Sequence, residues 1–407
     1  MLGRMRDEPV VLLEGPRSVG KSTVLQAIAR QLDGEVLDLD DIATREAVLT
    51  DPATMVAGSG LVCVDEYQRA PIVLDAIKAE LNRSSRPGRF VLTGSARHES
   101  LPVAAQALTG RLHRMTLYPL SQSELEGVGV NLLALLFGEP STAMAGRPST
   151  TTREEYTERI ARGGFPLALA RSSAAARHRW FDDYVRLTLE RDVRELSRVR
   201  QARDLPSLLE RLAGQSAQVL NISSAAESTG LDVNTARDYI RLLQAVFLIH
   251  QLPAWGKTLT SRSSATPKVH VLDSGVATRL LRLTPEKLAR RDSTSLTEFG
   301  HLLETFVVGE LMKDASWMEG ITGIGHWRTY DGDEVDLVVE RDDGAVIGFE
   351  VKAAARVPGE DFRALRKLRD AVGESFIAGV VLYTGARSYT YEGRLHAMPI
   401  DRLWTAA

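Results

Sequence analysis

A chain of 407 residues is longer than one ordinary hydrophobic core supports, which points to about two to four domains. Its 44% hydrophobic and 25% charged residues exclude a fibrous or low-complexity polymer, and a net charge of −3 excludes a global basic field that would demand nucleic acid, leaving only a local patch open. The apolar runs at 132–137 and 245–249 fall far short of the ~20 residues a membrane span needs, and no apolar signal core opens the chain, so a cytoplasmic protein without membrane contact is expected. The first predicted elements are a strand at Val10-Val11-Leu12-Leu13 and an amphipathic helix carrying Val24, Leu25, Ile28, Ala29 and Leu32. Between them lies Gly15-Pro16-Arg17-Ser18-Val19-Gly20-Lys21-Ser22, a complete phosphate loop in strand–loop–helix context. Residues Gly15 to Thr23 are therefore the expected nucleotide cradle. Backbone N–H groups and the helix N-terminus face the phosphates, Lys21 reaches the β- and γ-phosphates, and the Ser22 hydroxyl sits on Mg²⁺.

Further strands are predicted at Glu35–Asp40, Gly60–Glu66 and Phe90–Ser95, with a helix from Ile72 to Leu81 between the last two. This alternation implies a parallel sheet with its ligands off the carboxyl ends of the strands, where the phosphate loop, Asp65-Glu66 and Thr93-Gly94-Ser95 collect. Asp65 is expected to bind Mg²⁺ and Glu66 to orient and deprotonate water, while Ser95 or Thr93 senses the γ-phosphate. Arg97, Arg111 and Arg114 follow the last of these strands. Any of them could act as a finger, and Arg111 joins Asp65, Glu66 and Ser95 in the expected catalytic set. Cys63, the one cysteine, lies in an apolar run and reads as a small buried hydrophobe.

These motifs, with Leu37-Asp38-Leu39-Asp40, Asp65-Glu66-Tyr67-Gln68 and Tyr118-Pro119-Leu120-Ser121, resemble a prokaryotic family of AAA-type ATPases that carries a C-terminal domain of unknown function. The likeness extends through Gly163-Gly164-Phe165-Pro166, Arg191-Asp192 and Asp273-Ser274-Gly275, so it spans nearly the whole chain. Ser18, Ser22 and Tyr67 depart from the pattern's Gln, Thr and Ile, and Ser22 keeps the hydroxyl that magnesium requires. The resemblance implies ATP binding and ATP hydrolysis, and it implies no particular biological task.

Residues 138–152 are rich in Pro, Gly, Ser and Thr and read as a linker, followed by a helical pattern from Arg153 to about Gly214. The mixed charges of Trp180–Arg200 (Arg186, Arg191, Arg194, Arg198 and Arg200 among Asp182, Asp183, Glu190, Asp192 and Glu195) suit a solvated helix face, with Arg191 as a second nucleotide sensor the rival reading. Ser224-Ala225-Ala226-Glu227 fits a capping box, Thr229–Asp232 a turn and Val233–Ala245 a second helix. Strands at Val246–Ile249 and Val269–Leu272 would flank a Ser-rich wing, completing a winged helix with Asn234, Arg237, Asp238 and Arg241 outward. Such a module either reads DNA or packs between domains.

In the last hundred residues Glu334–Glu340 and Ala345–Lys352 read as strands joined by Asp342-Asp343-Gly344. A three-residue loop pairs Arg341 with Ala345 and sets Asp336 opposite Glu350, with Lys352 on the same strand face as Glu350. Converging carboxylates and a lysine suit metal-dependent phosphodiester cleavage: Asp336 and Glu350 hold Mg²⁺ and Lys352 steadies charge. The set resembles the PD-(D/E)xK restriction-endonuclease core, with Glu304 an extra acidic ligand on a helix from Phe299 to Met312, and with Val335 where that pattern has proline. Arg363, Arg366, Lys367 and Arg369 form a basic helix suited to phosphates.

The expected architecture is α/β: a P-loop NTPase domain with a parallel sheet (1–128), a helical lid region (129–218), a winged-helix-like domain (219–285) and a nuclease-like domain (290–407). The expected function is an ATPase that couples nucleotide state to a nuclease-like domain acting on DNA or RNA. The alternative is a nucleotide-gated regulator that binds nucleic acid or protein through an inactive nuclease-like domain.

Overall fold

Apolar runs become strands wherever both of their faces can be covered. In the computed structural model, which describes residues 1–98, 108–193, 204–256, 266–290 and 292–405, the first five are β1 (Val10–Glu14), β2 (Glu35–Asp38), β3 (Val62–Asp65), β4 (Phe90–Gly94) and β5 (Leu112–Thr116). They form one sheet in the order β2-β3-β4-β1-β5, parallel throughout. Side-chain alternation sorts the core into two halves. Val10, Leu12, Val62, Val64, Phe90 and Leu92 pack on one face against Ile77 and Leu81 of the helix Val73–Arg83. Val11, Cys63 and Val91 pack on the other against Leu25, Ile28 and Ala29 of the helix Lys21–Leu32. Each such buried aliphatic side chain contributes about 1.5–3 kcal/mol. Cys63 is the buried hydrophobe expected. The edge strand β5, half-buried along its length, has no continuous apolar run to announce it.

The described residues group into two compact units. The first is Met1–Pro119 joined by Thr188–Arg200 and Arg241–Phe247; the second is Leu120–Leu187, Gln201–Ile240 and Leu248–Ala407. In the first unit Arg97 ties in the late segment, its N–H donating to the Ala245 carbonyl at 2.9 Å and its guanidinium lying 4.8 Å from the Phe247 ring centre.

The second unit holds two sheets. The smaller is β6 (Gln218–Val219), β7 (Ile249–Leu252) and β8 (Lys268–Val271) in the antiparallel order β6-β8-β7. The helices Leu205–Ala213, Ile222–Thr229 and Val233–Ala245 precede and separate its strands. The cap expected at Ser224 lies one turn too late: Asn221 is the N-cap and its side chain accepts from the Ser224 N–H. Gly230, left-handed at φ 69°, ends that helix. Asn234, Arg237, Asp238 and Arg241 are exposed, and the Ser-rich wing at 257–265 lies outside the described residues.

The larger sheet comprises β9 (Ile321–Arg328), β10 (Glu334–Arg341), β11 (Val346–Lys352), β12 (Phe376–Tyr383), β13 (Tyr389–Glu392) and β14 (Leu395–Pro399), ordered β13-β14-β12-β11-β10-β9. Residues 138–152 do not form a free linker. They include a short helix, Pro140–Met144, and the Ser149 and Thr151 hydroxyls both donate to Asp401, at 2.5 and 2.9 Å. The charged helix expected to Arg200 runs as α-helix from Ala174 to Leu187 and continues as a π-turn, Thr188–Asp192. Its exposed Arg186–Asp183 pair fits a solvated face, and Arg194, Glu195, Arg198 and Arg200 lie outside the described residues. Among the described residues no helix is long and apolar enough to cross a membrane.

Candidate functional site

The loop between β1 and the helix Lys21–Leu32 needs backbone shapes that side chains resist. At Gly15 (φ 155°) a Cβ would lie 2.2 Å from the Leu117 carbonyl oxygen, and Gly20 is left-handed at φ 101° as the helix N-cap. Lys21 is 4% exposed, and its ammonium donates to the loop's own carbonyls at Gly15 (2.9 Å) and Pro16 (2.8 Å). Burial lowers its pKa to about 8, against the pull of Glu66 and Asp65.

The ends of β3 and β4 bring the expected acids to this edge of the sheet. Asp65 and Glu66 are buried, with Glu66 in the left-handed region at φ 53°, a strained shape for a residue with a side chain. Thr93 holds both: its hydroxyl donates to Asp65 and accepts from the Glu66 N–H at 3.0 Å. One Glu66 oxygen accepts from Ser95 Oγ at 2.9 Å and from Gln68 Nε2. Tyr67, where the resembled pattern has isoleucine, is buried and meets His98 Nδ1 through its hydroxyl at 2.8 Å.

One expectation for this site needs correction. Arg111 immediately precedes β5, which pairs Leu112 with Val10, so it lies at the opposite edge of the sheet from the loop and bonds Asn82 Oδ1 at 2.7 Å. It is no finger for its own nucleotide site. Arg191 faces Asp40 at 3.9 Å, and its neighbour Asp192 makes the close contact, accepting from Arg17 Nε at 2.8 Å through both oxygens. Asp192, buried, had a visible signal in the Arg191-Asp192 motif, but the charged surroundings drew the reading towards a solvated face.

The second group of candidates lies in the other unit. The β10–β11 hairpin has the expected register: Leu337 pairs with Phe349 and Arg341 N–H donates to the Ala345 carbonyl, with Gly344 left-handed in the loop. Glu304 comes from a helix longer than expected, Ser293–Ser316. The group absent from the sequence reading is Lys268, the first residue of β8 and 1% exposed. Its ammonium bonds Glu304 at 2.7 Å, Asp336 at 2.9 Å and Glu334. Burial alone would favour the neutral amine, yet Asp336, Glu304 and Glu334 outweigh it and hold Lys268 charged far above the usual range. The other Asp336 oxygen accepts from the Val351 N–H at 2.9 Å. Lys352 instead pairs with Glu350 at 2.8 Å, and burial followed by the charge of Asp336 pushes Glu350 up to about 8.

The basic helix Arg363–Val372 does not present free cations for phosphates. Arg363 and Lys367 grip Asp333, and Arg366 and Arg369 reach Glu392 at 3.0 and 2.9 Å.

Residues 7–126 match the AAA domain family. Residues 153–287 and 299–403 match two domains of unknown function, DUF8612 and DUF4143. The uncharacterized proteins Mb2031c of Mycobacterium bovis and Rv2008c of Mycobacterium tuberculosis are each 28% identical over 401 residues, covering 98% of this chain and 81% of theirs. Among solved structures, the Walker-type ATPase PABY2304 of Pyrococcus abyssi is 15% identical and spans 69% of this chain and 93% of its own, at a TM-score of 0.42. A RuvB variant of Thermotoga maritima is 17% identical over 62% of this chain and 85% of its own, at a TM-score of 0.27. These structural likenesses are too loose to carry an argument. The family match and the loop geometry agree on an AAA-type P-loop fold, built for nucleotide binding, in the amino-terminal part of the chain.

Proposed function

We propose that this protein binds and hydrolyses ATP in its amino-terminal unit, and that nucleotide state governs a winged-helix module and a restriction-endonuclease-like domain in the later part of the chain. One observation carries the nucleotide reading: a buried lysine inside a glycine-shaped loop, with two buried carboxylates held at the end of β3 by Thr93 of β4. Lys21 and the loop N–H groups bind the phosphates. The Ser22 hydroxyl and Asp65 supply the hard oxygen donors that suit Mg²⁺, which when bound draws charge off the transferring phosphoryl group. Glu66, held by Ser95 and Gln68, is placed to orient water and take its proton.

Helix order and the β6-β8-β7 sheet support the winged-helix reading, and the β10–β11 hairpin beside the helix Ser293–Ser316 supports the nuclease-like one. Of the two roles open to that domain, the one without cleavage fits better, because its acidic cluster is ion-paired internally to Lys268.

The test is ATP binding and turnover by the full chain. Lys21→Ala should weaken binding roughly tenfold to a hundredfold. Glu66→Gln should still bind while turnover falls by about 10²–10⁴. An unchanged dissociation constant in Lys21→Ala would overturn the assignment. Titration with labelled duplex DNA and RNA at low and high salt tests for a nucleic-acid partner, since such binding weakens steeply with salt.

A further inference from the structure

We propose that Lys268 is a built-in substitute for the divalent cation of the restriction-endonuclease-like domain, so that the acidic cluster clamps the fold and does not cleave phosphodiesters. The proposal rests on that reading of the domain and adds what fills its acidic centre.

The fit of a metal ion can be judged atom by atom. An ammonium has three N–H donors, and Lys268 spends them on Glu304, Glu334 and Asp336. Both Asp336 oxygens are engaged: one faces Lys268 at 2.9 Å and the other accepts from Val351 N–H at 2.9 Å. Of Glu350, one oxygen pairs with Lys352 at 2.8 Å and the other is buried with no hydrogen-bond partner. Mg²⁺ demands about six oxygens at about 2.0–2.1 Å, and the point where Glu304, Glu334 and Asp336 converge is already taken by the lysine ammonium, so the ion would have to displace it. Among the described residues no three His, Cys, Asp or Glu side chains are arranged to hold a metal ion. The residues do not fit the metal while the lysine stands there.

The lysine is also fixed. It lies on β8, the central strand of its sheet, paired with Val219 on one side and Leu252 on the other. Withdrawing the ammonium would leave three crowded acids without their shared cation. A removable plug would sit on a loop or an edge; this one is woven into a sheet. The consequence is a cluster that joins β8, β10 and the helix Ser293–Ser316 through a single positive charge.

The test is manganese binding by the full-length chain, followed by electron paramagnetic resonance, with Asp65→Asn throughout to silence the phosphate-loop site. The parent should show no Mn²⁺ site that depends on Asp336. Lys268→Met should gain one, so that Mn²⁺ affinity rises about tenfold or more over the parent's residual binding, and the gain should be lost again on Asp336→Asn. Lys268→Arg should stay without it. If Lys268→Met does not fold, the charge-balanced K268M/E334Q variant carries the same expectation. An Asp336-dependent Mn²⁺ site in the parent, or Mg²⁺-dependent plasmid cleavage by it, overturns the substitution and leaves the nuclease-like fold standing. No gain of Mn²⁺ in a folded Lys268→Met or K268M/E334Q variant overturns the reading of the cluster as a cation site, leaving ATP binding untouched.

Discussion

Lys21 shows how one residue's surroundings make a measurable chemical claim. The folded chain holds its pKa near 8, below the usual 10.5, because burial disfavours the ammonium. Nucleotide phosphates favour the charged form, so ATP binding requires a proton on Lys21. Above pH 8 the nucleotide-free protein has lost that proton, and binding must take one up. We expect the ATP dissociation constant to be flat below about pH 7.5 and to rise by up to about tenfold per pH unit above 8. A profile flat to pH 9.5, measured with a fluorescent ATP analogue, contradicts this. The spacing of the phosphate loop revealed Lys21, and strand-end position revealed Asp65 and Glu66. Lys268 stayed hidden: it stands 68 positions from Asp336, in a strand whose pattern speaks only of burial.

At the scale of the element, the helix Ser293–Ser316 does more than present Glu304. Glu310 and Asp314, one turn apart, accept from the Gln122 and Leu132 N–H groups at 2.6 and 3.0 Å, capping the starts of the short helices Gln122–Glu126 and Leu132–Gly138. Lys313 neutralises Glu310 at 2.6 Å and donates to the Leu120 carbonyl at 3.1 Å. Removing either member leaves a buried charge unanswered. We expect Glu310→Gln and Lys313→Met each to lower unfolding stability by about 3–5 kcal/mol, and the double variant to lose clearly less than the sum. Urea titrations of the four proteins supply the cycle, and strict additivity would show that the pair is not coupled. The β10–β11 hairpin was legible because Asp342-Asp343-Gly344 fixes a register locally. The helix's capping role was not, because its partners lie nearly 190 residues upstream.

At the scale of the molecule, the amino-terminal unit draws on distant stretches of chain. Asp192 answers Arg17 of the phosphate loop, and Arg97 binds the backbone at Gln244 and Ala245. The match to the AAA domain family ends at residue 126, so a fragment cut there lacks both attachments. We expect residues 1–126 alone to unfold with a midpoint at least ~10 °C below the corresponding transition of the full chain, or without cooperativity, by differential scanning calorimetry. An equal midpoint would mean that the later segments add nothing to the unit's stability. The same reasoning reassigns 138–152, which composition marks as a linker and which Asp401 ties down through Ser149 and Thr151.

By itself the sequence determined the phosphate loop, the buried strands around it, and the hairpin that brings Asp336 and Glu350 alongside. These follow from periodicity and turn chemistry, which act over a few residues. Only the tertiary structure decided which charges meet: Arg17 with Asp192, the basic helix with Asp333 and Glu392, and Lys268 with Glu304, Glu334 and Asp336. Coulomb attraction depends on separation in space and on burial, and neither is written in the spacing of residues along the chain.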